Sequence, residues 1–137
     1  MAGRVNQILR NHLDERGCTV YTSDLKIQIE PGRLHTYPDL TVVCAEPVFT
    51  NATGDVLVNP KLIVEILSPS IEAHDRGFKF QQYQKIASLA EYFLVSQVEP
   101  LVERYCRRTD LAWADYAEAR GMGSTIELKS LGLEIRV

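Results

Sequence analysis

Apolar residues recur at helical spacing in two stretches of this chain; elsewhere they alternate or run together in the manner of strands. Over residues 4 to 16, Val5, Ile8, Leu9 and Leu13 repeat every three or four positions, while Arg4, Asn11, Asp14 and Glu15 occupy the rest of the circumference. That spacing predicts an amphipathic helix, and Gly17 is placed to end it in a left-handed cap. Cys18 to Thr22 is a short strand candidate. Leu25, Ile27 and Ile29 then alternate with Lys26, Gln28 and Glu30, the pattern of a strand with one wet face. Pro31-Gly32 signals a turn before the apolar run Leu40 to Cys44.

Glu46 to Pro60 carries prolines, asparagines and a glycine and reads as a loop. Lys61 to Leu67 is the clearest buried strand, stopped by Ser68-Pro69-Ser70. Asp75 to about Ala87 reads as a second helix, rich in Lys and Gln, with Phe78, Phe80 and Ile86 available for packing. Glu91 to Gln97 and Leu101 to Arg107 predict a hairpin around Glu99-Pro100. Leu111 to Tyr116 and Ser124 to Leu128 continue an antiparallel meander. Leu131, Leu133, Ile135 and Val137 alternate with Gly132, Glu134 and Arg136 in a last strand. The order of helix, strands, helix and strands implies an α/β (α+β) fold, a mixed sheet with helices packed on it. No linker or repeat divides the chain, so residues 1–137 are expected to form one domain.

Composition changes this picture little. At 137 residues, with 45% apolar and 24% charged residues, the chain can bury a core without staples. No stretch approaches the roughly 20 apolar residues that span a bilayer, and the N-terminus shows no signal-peptide core. A cytoplasmic protein with no membrane partner is the expectation. The cysteines Cys18, Cys44 and Cys106 form no C-x-x-C pair, and Cys44 is expected to pack as a small hydrophobe. A formal charge of −3 gives no global attraction to phosphate backbones, so any nucleic-acid contact must come from a local patch or an oligomer.

Two carboxylates stand out against this background. Asp39 lies in Tyr37-Pro-Asp-Leu-Thr-Val-Val-Cys44 and Glu65 in Leu62-Ile-Val-Glu-Ile-Leu67, both in or beside β-branched runs of the kind that make buried strands. An ionised acid in such a place is costly unless it is paired or holds a metal. Pro38 fixes the backbone before Asp39, which could accept turn hydrogen bonds or face a cleft. Glu65 shares one strand face with Ile63 and Leu67; it either meets a buried cation or lines a cleft. On the second helix Asp75, Lys79 and Tyr83 are spaced i, i+4 and i+8 and line one stripe. That stripe is either an exposed ion pair with Tyr83 packed nearby, or it points Lys79 toward the carboxylates. His74 is a surface histidine or a further ligand or base.

Two acids and a lysine suit phosphodiester hydrolysis. The acids hold Mg²⁺, a hard cation that prefers oxygen ligands and keeps several waters. The metal polarises the phosphate and acidifies a bound water, while the ammonium balances developing charge.

The strings Thr22-Ser-Asp-Leu-Lys26, Tyr37 to Cys44, Val64-Glu-Ile-Leu-Ser-Pro-Ser70, Asp75-Arg-Gly-Phe-Lys79, Tyr83 and Ser88-Leu-Ala-Glu-Tyr92, taken in order, resemble the Uma-two family of restriction endonuclease-like proteins. That family is a branch of the PD-(D/E)xK nuclease superfamily, and the likeness extends over roughly residues 4 to 107. It implies a restriction endonuclease-like mixed sheet flanked by helices, with Asp39 as the acid of the Pro-Asp motif and Glu65 as that of the E-x-K motif. The superfamily lysine falls at Leu67; the resemblance implies that Lys79 substitutes for it. It also implies the backbone carbonyl of Ile66 as a metal ligand, with Asp75 and Tyr83 supporting the site. The chain starts at about the family's first helix, so the usual N-terminal extension is expected to be lacking. Asp14 and Glu15 are the only acids at the end of that helix and receive no role.

The leading expectation is a Mg²⁺- or Mn²⁺-dependent endonuclease acting on DNA, with a homodimer suited to cutting both strands. The alternative is a non-catalytic domain of the same fold that binds a partner or regulates. A third reading is a hydrolase of a smaller phosphate ester.

Overall fold

Residues 2–13 place Val5, Leu9 and Leu13 on one buried stripe, and this stripe decides where the first helix lies. In the computed structural model, residues 2–13, 17–31, 34–50, 55–68 and 73–137 are described; the side chains of residues 2, 3 and 73–76 are not among them. Helix α1 spans Ala2–Leu13. Gly17 has φ 75°, the left-handed conformation that suits glycine at a helix end, and the Cys18 amide donates back to the Leu13 carbonyl at 3.3 Å. Asp14 and Glu15 lie outside the described residues.

Among the described residues, eleven strands and a second helix follow: β1 Thr19–Tyr21, β2 Lys26–Glu30, β3 Leu34–Thr36, β4 Leu40–Val43, β5 Val56–Leu57, β6 Leu62–Leu67, α2 Ala73–Tyr83, β7 Glu91–Ser96, β8 Leu101–Cys106, β9 Asp115–Arg120, β10 Thr125–Leu128 and β11 Leu133–Arg136. The main sheet has six strands in the order β1-β4-β6-β7-β8-β9. Only β6 and β7 run parallel within it, because α2 carries the chain back across the sheet between them. Two small sheets flank it, β3-β2-β5 and β10-β11, where the sequence predicts one sheet throughout.

Strand β6 is buried on both faces, and each face has its own core. Leu62 and Val64 pack with α1, Val20, Val42, Phe93 and the apolar side of β10-β11. Ile63 and Leu67 pack with Tyr83, Tyr92 and Leu94, and with Ile27 and Leu57 from the small sheet. Helix α2 therefore covers the face on which Glu65 lies, and α1 covers the other.

The structure corrects several expected boundaries. Strand β3 and strand β5 both lie in segments that the sequence presents as turn or loop; each is too short to show a period, and pairing with β2 makes them. The predicted strand over Leu111 to Tyr116 begins only at Asp115, since Leu111 adopts φ 70° in the turn before it. The second helix ends at Tyr83 rather than Ala87; Lys85 and Ile86 instead donate to the Gln82 and Tyr83 carbonyls in turns. Cys44 does not pack as a free thiol. Antiparallel pairing of Thr19 with Val43 sets Cys18 opposite Cys44 one position out, and the two form a disulfide. Cys106 remains free and buried.

Candidate active site

The pairing of β4 with β6 brings the two acids together. Leu40 is registered against Val64, so Asp39, one residue before β4, falls opposite Glu65, and directly opposed residues share a sheet face. Pro38 explains why Asp39 is available. With no N–H, it cannot extend the ladder opposite Ile66, and the Asp39 side chain takes over: its Oδ2 accepts the Ile66 amide at 2.7 Å. One carboxylate oxygen is thus tied to the backbone of β6, which orients the group beside Glu65.

Glu65 is only 6% exposed. The Tyr83 hydroxyl donates to its Oε1 at 2.5 Å, and the Lys79 ammonium lies 3.9 Å from its Oε2. Thr36 Oγ1 lies 3.1 Å from the Tyr83 hydroxyl and closes the chain of contacts. Burial raises the Glu65 pKa to about 7; the Tyr83 hydrogen bond and the Lys79 charge pull it down, and Asp39, through its charge and a hydrogen bond, pushes it up. Burial, together with the Glu65 charge, pushes the Tyr83 phenol above its ordinary value, so it stays a donor at neutral pH.

Glu91 shows that this is not how the fold treats acids in general. It is fully buried in β7, yet it accepts from the Lys129 amide at 3.0 Å, the Ser130 amide at 3.1 Å, the Ser130 hydroxyl at 2.5 Å and the Cys106 thiol at 3.1 Å. Arg104 Nε lies 3.9 Å away. Glu91 is a clamp that holds the turn between β10 and β11. The sequence offers no cue to it, because its donors come from residues far along the chain. Glu65, by contrast, has one hydroxyl donor and one ammonium at long range, facing another acid.

Of the residues singled out by sequence, the structure brings Asp39, Glu65, Lys79 and Tyr83 together at one end of the sheet. The i and i+4 spacing works as expected, with Lys79 and Tyr83 on one stripe of α2 reaching the same carboxylate. The side chains of Asp75 and His74 lie outside those described. Leu67 packs into the second core, so no ammonium approaches from β6, and Lys79 reaches the site from the helix instead. Thr36 escaped the sequence reading, because strand β3 that carries it was not predicted.

Among the described residues no three His, Cys, Asp or Glu side chains converge as a ready metal cage. The donor set nevertheless suits a hard cation: two carboxylate groups, one of them destabilised as an anion by burial and by the other, offer the oxygen ligands that Mg²⁺ prefers.

A mixed sheet covered by helices on both faces is the restriction endonuclease-like arrangement. The chain belongs to the Uma2 family, described as "Putative restriction endonuclease", whose profile matches residues 1–137. It is 38% identical over 136 residues to "Uncharacterized protein slr1290" of Synechocystis sp. (strain ATCC 27184 / PCC 6803 / Kazusa), covering 98% of this chain and 68% of that protein. It is 32% identical over 123 residues to "Uncharacterized protein sll1609" of the same organism, covering 90% of this chain and 69% of the relative. Its fold is similar to the crystal structure of a putative nuclease belonging to DUF820 from Anabaena variabilis ATCC 29413. The TM-score is 0.75 at 15% identity, over 98% of this chain and 74% of that one. No helix among the described residues is long and apolar enough to cross a membrane.

Proposed function

We propose that this chain is a divalent-metal-dependent endonuclease that hydrolyses phosphodiester bonds of DNA, using Mg²⁺ or Mn²⁺. The observation that carries the reading is the Asp39–Glu65 pair: two acids on neighbouring strands, held side by side, with the Glu65 pKa raised to about 7 by burial and by Asp39 against the pull of Tyr83 and Lys79. A structural acid is satisfied by its neighbours, as Glu91 is; this pair is satisfied by a cation.

Asp39 and Glu65 are the side-chain ligands. The Ile66 carbonyl is the backbone ligand, since it leaves the extended strand on the same edge as the amide that Asp39 holds. Bound there, a hard divalent cation supplies polarisation of the scissile phosphate and a water of lowered pKa. Asp39 stays oriented through the Ile66 amide, and Glu65 stays oriented through the Tyr83 hydroxyl. Lys79 lies on the helix side of the pair and neutralises charge that develops on the phosphoryl oxygens; Asp75, a turn earlier on α2, supports it. The proposed setting is the cytoplasm, and a homodimer supplies two such sites.

The test is cleavage of plasmid and linear DNA with Mg²⁺ or Mn²⁺, beside Mn²⁺ calorimetry on the wild type, Asp39→Ala and Glu65→Ala. Cleavage that vanishes in both variants while the fold persists supports the reading. Metal binding without cleavage transfers the chain to the non-catalytic alternative, and no metal binding ends both the metal site and the hydrolysis built on it.

A further inference from the structure

Beside the acid pair, a cleft of about 330 Å³ opens between β3 and α2, with Lys79 and Tyr83 forming the wall it shares with the site. Its floor is apolar, from Ile29 and Leu34, and its rim carries His35, Thr36, Phe78 and Gln82. Phe78 is the unexpected member. It is 55% exposed, although Phe80 on the same helix is stacked among Tyr92, Tyr105 and Trp113. A ring that the core does not need stands at the mouth of the cleft, one residue before the lysine.

A second aromatic repeats this placement on the other chain segment. Tyr37, two residues before Asp39, is 57% exposed, and Lys26 Nζ lies 5.8 Å from its ring centroid. Among the described residues the exposed Phe and Tyr side chains are Tyr37, Phe78 and Tyr116. Two of the three therefore flank the residues assigned to phosphate chemistry. Exposed rings beside cations are how proteins hold unpaired bases, because every base offers a π-face and every nucleotide a phosphate.

The volume limits what can enter. It lies at the small end of the roughly 300–1,000 Å³ range of small-molecule sites, suited to one nucleoside and too small for a stacked pair. The polar groups suit a base edge: Gln82 offers an amide, His35 an imidazole, and Thr36 a hydroxyl already in contact with Tyr83 at 3.1 Å.

We propose that this cleft is a nucleobase subsite, in which one unpaired base of the substrate strand stacks on Phe78 while its phosphate lies toward Lys79 and the acids. The substrate is then single-stranded or locally opened DNA rather than an intact duplex. The inference rests on the nuclease reading for its ligand class, but its binding does not depend on cleavage.

The experiment is fluorescence anisotropy with a labelled 12-nucleotide single-stranded DNA of mixed sequence and the corresponding duplex, in Ca²⁺ buffer, on the full chain. The single strand is expected to bind more tightly than the duplex. Phe78→Ala is expected to weaken single-strand binding about ten-fold, with Phe78→Tyr restoring it and all three proteins melting alike, since the ring is exposed. Equal affinity for both DNAs, no measurable binding of either, or an unchanged Phe78→Ala affinity overturns the subsite. If DNA is cut but Phe78→Ala binds as the wild type does, the subsite falls and the nuclease stands. If the single strand binds through Phe78 but nothing is cut, the nuclease falls and the subsite stands.

Discussion

Tyr83 donates to Glu65 across the gap between α2 and β6 at 2.5 Å, and this contact orients the glutamate and favours its ionised form against burial. The hydroxyl is one of the two influences that favour ionised Glu65; the other is Lys79. The tyrosine is thus more than a core residue that happens to lie near an acid.

Removing that hydroxyl should therefore be visible in metal binding. Tyr83→Phe keeps the ring contact with Tyr92 but raises the Glu65 pKa beyond about 7. At neutral pH, Mn²⁺ affinity should fall roughly ten-fold, the usual effect of losing a group that supports a ligand. Calorimetry at pH 7 and pH 9 checks this, because most of the loss should disappear at the higher pH. An equal loss at both would mean that the hydroxyl only shapes the site.

The raised pKa also sets a stability profile. Folded Glu65 titrates near 7 against an ordinary value of 4.5, so the native state holds its proton more tightly than the unfolded chain does. The stabilisation from the protonated form is complete below about pH 4.5 and is lost as pH rises to about 7, at a cost of up to ~3 kcal/mol. Urea unfolding in EDTA across that range should show the decline, and Glu65→Gln should flatten it and be more stable than the wild type above pH 7. Saturating Mn²⁺ should reverse the order of the two proteins.

In the proposed site Asp39 has two separable duties. Asp39→Ala strands the Ile66 amide, which should cost about 1–3 kcal/mol, and it removes a ligand. Asp39→Asn keeps an acceptor for that amide but not the charge, so it should recover most of the stability while cleavage stays at background. Denaturation and cleavage measured on both variants separate the duties; a cleaving Asp39→Asn would remove Asp39 from the ligand set.

Glu91 provides the opposite case. Glu91→Ala unties the Lys129 and Ser130 amides and leaves Arg104 beside an empty space, so it should destabilise the fold by roughly 3–5 kcal/mol. At temperatures where the variant is folded, its Mn²⁺ affinity should equal that of the wild type. Thermal melts and calorimetry together test whether the two buried glutamates have different occupations.

The Cys18–Cys44 link ties edge strand β1 to β4 across 26 positions. Chain-entropy reasoning gives such a loop about 3.5 kcal/mol. Oxidised protein should show no reactive thiol when native, because burial, with Glu91 beside it, pushes the Cys106 thiol up to about 12. One thiol should appear on unfolding and three after reduction, and the reduced protein should melt at a lower temperature.

Much of this arrangement was legible along the chain. The period of Ile63, Glu65 and Leu67 put an acid on a core face, and the stripe of Lys79 and Tyr83 put its partners on one side of a helix. Pairing decided the rest. Nothing local marks residues 34–36 or 56–57 as strands, since both are formed by what β2 offers them. Cys18 and Cys44 meet only because β1 and β4 share a register. Glu91 looked like any strand terminus because its donors lie some forty residues later, at Lys129 and Ser130. The burial that makes Glu65 conspicuous is shared by Glu91, and the smaller number of donors around Glu65 is what sets it apart.

Glu65, Lys79 and Tyr83 lie within one strand–helix segment, with Glu65 and Tyr83 only 18 positions apart; Asp39 and Thr36 arrive from elsewhere. The proposed centre is accordingly carried mostly by one continuous stretch of chain. The β10-β11 hairpin packs on the opposite face of the sheet, with α1, so it can be lengthened or fused to new modules while the acid pair keeps its geometry.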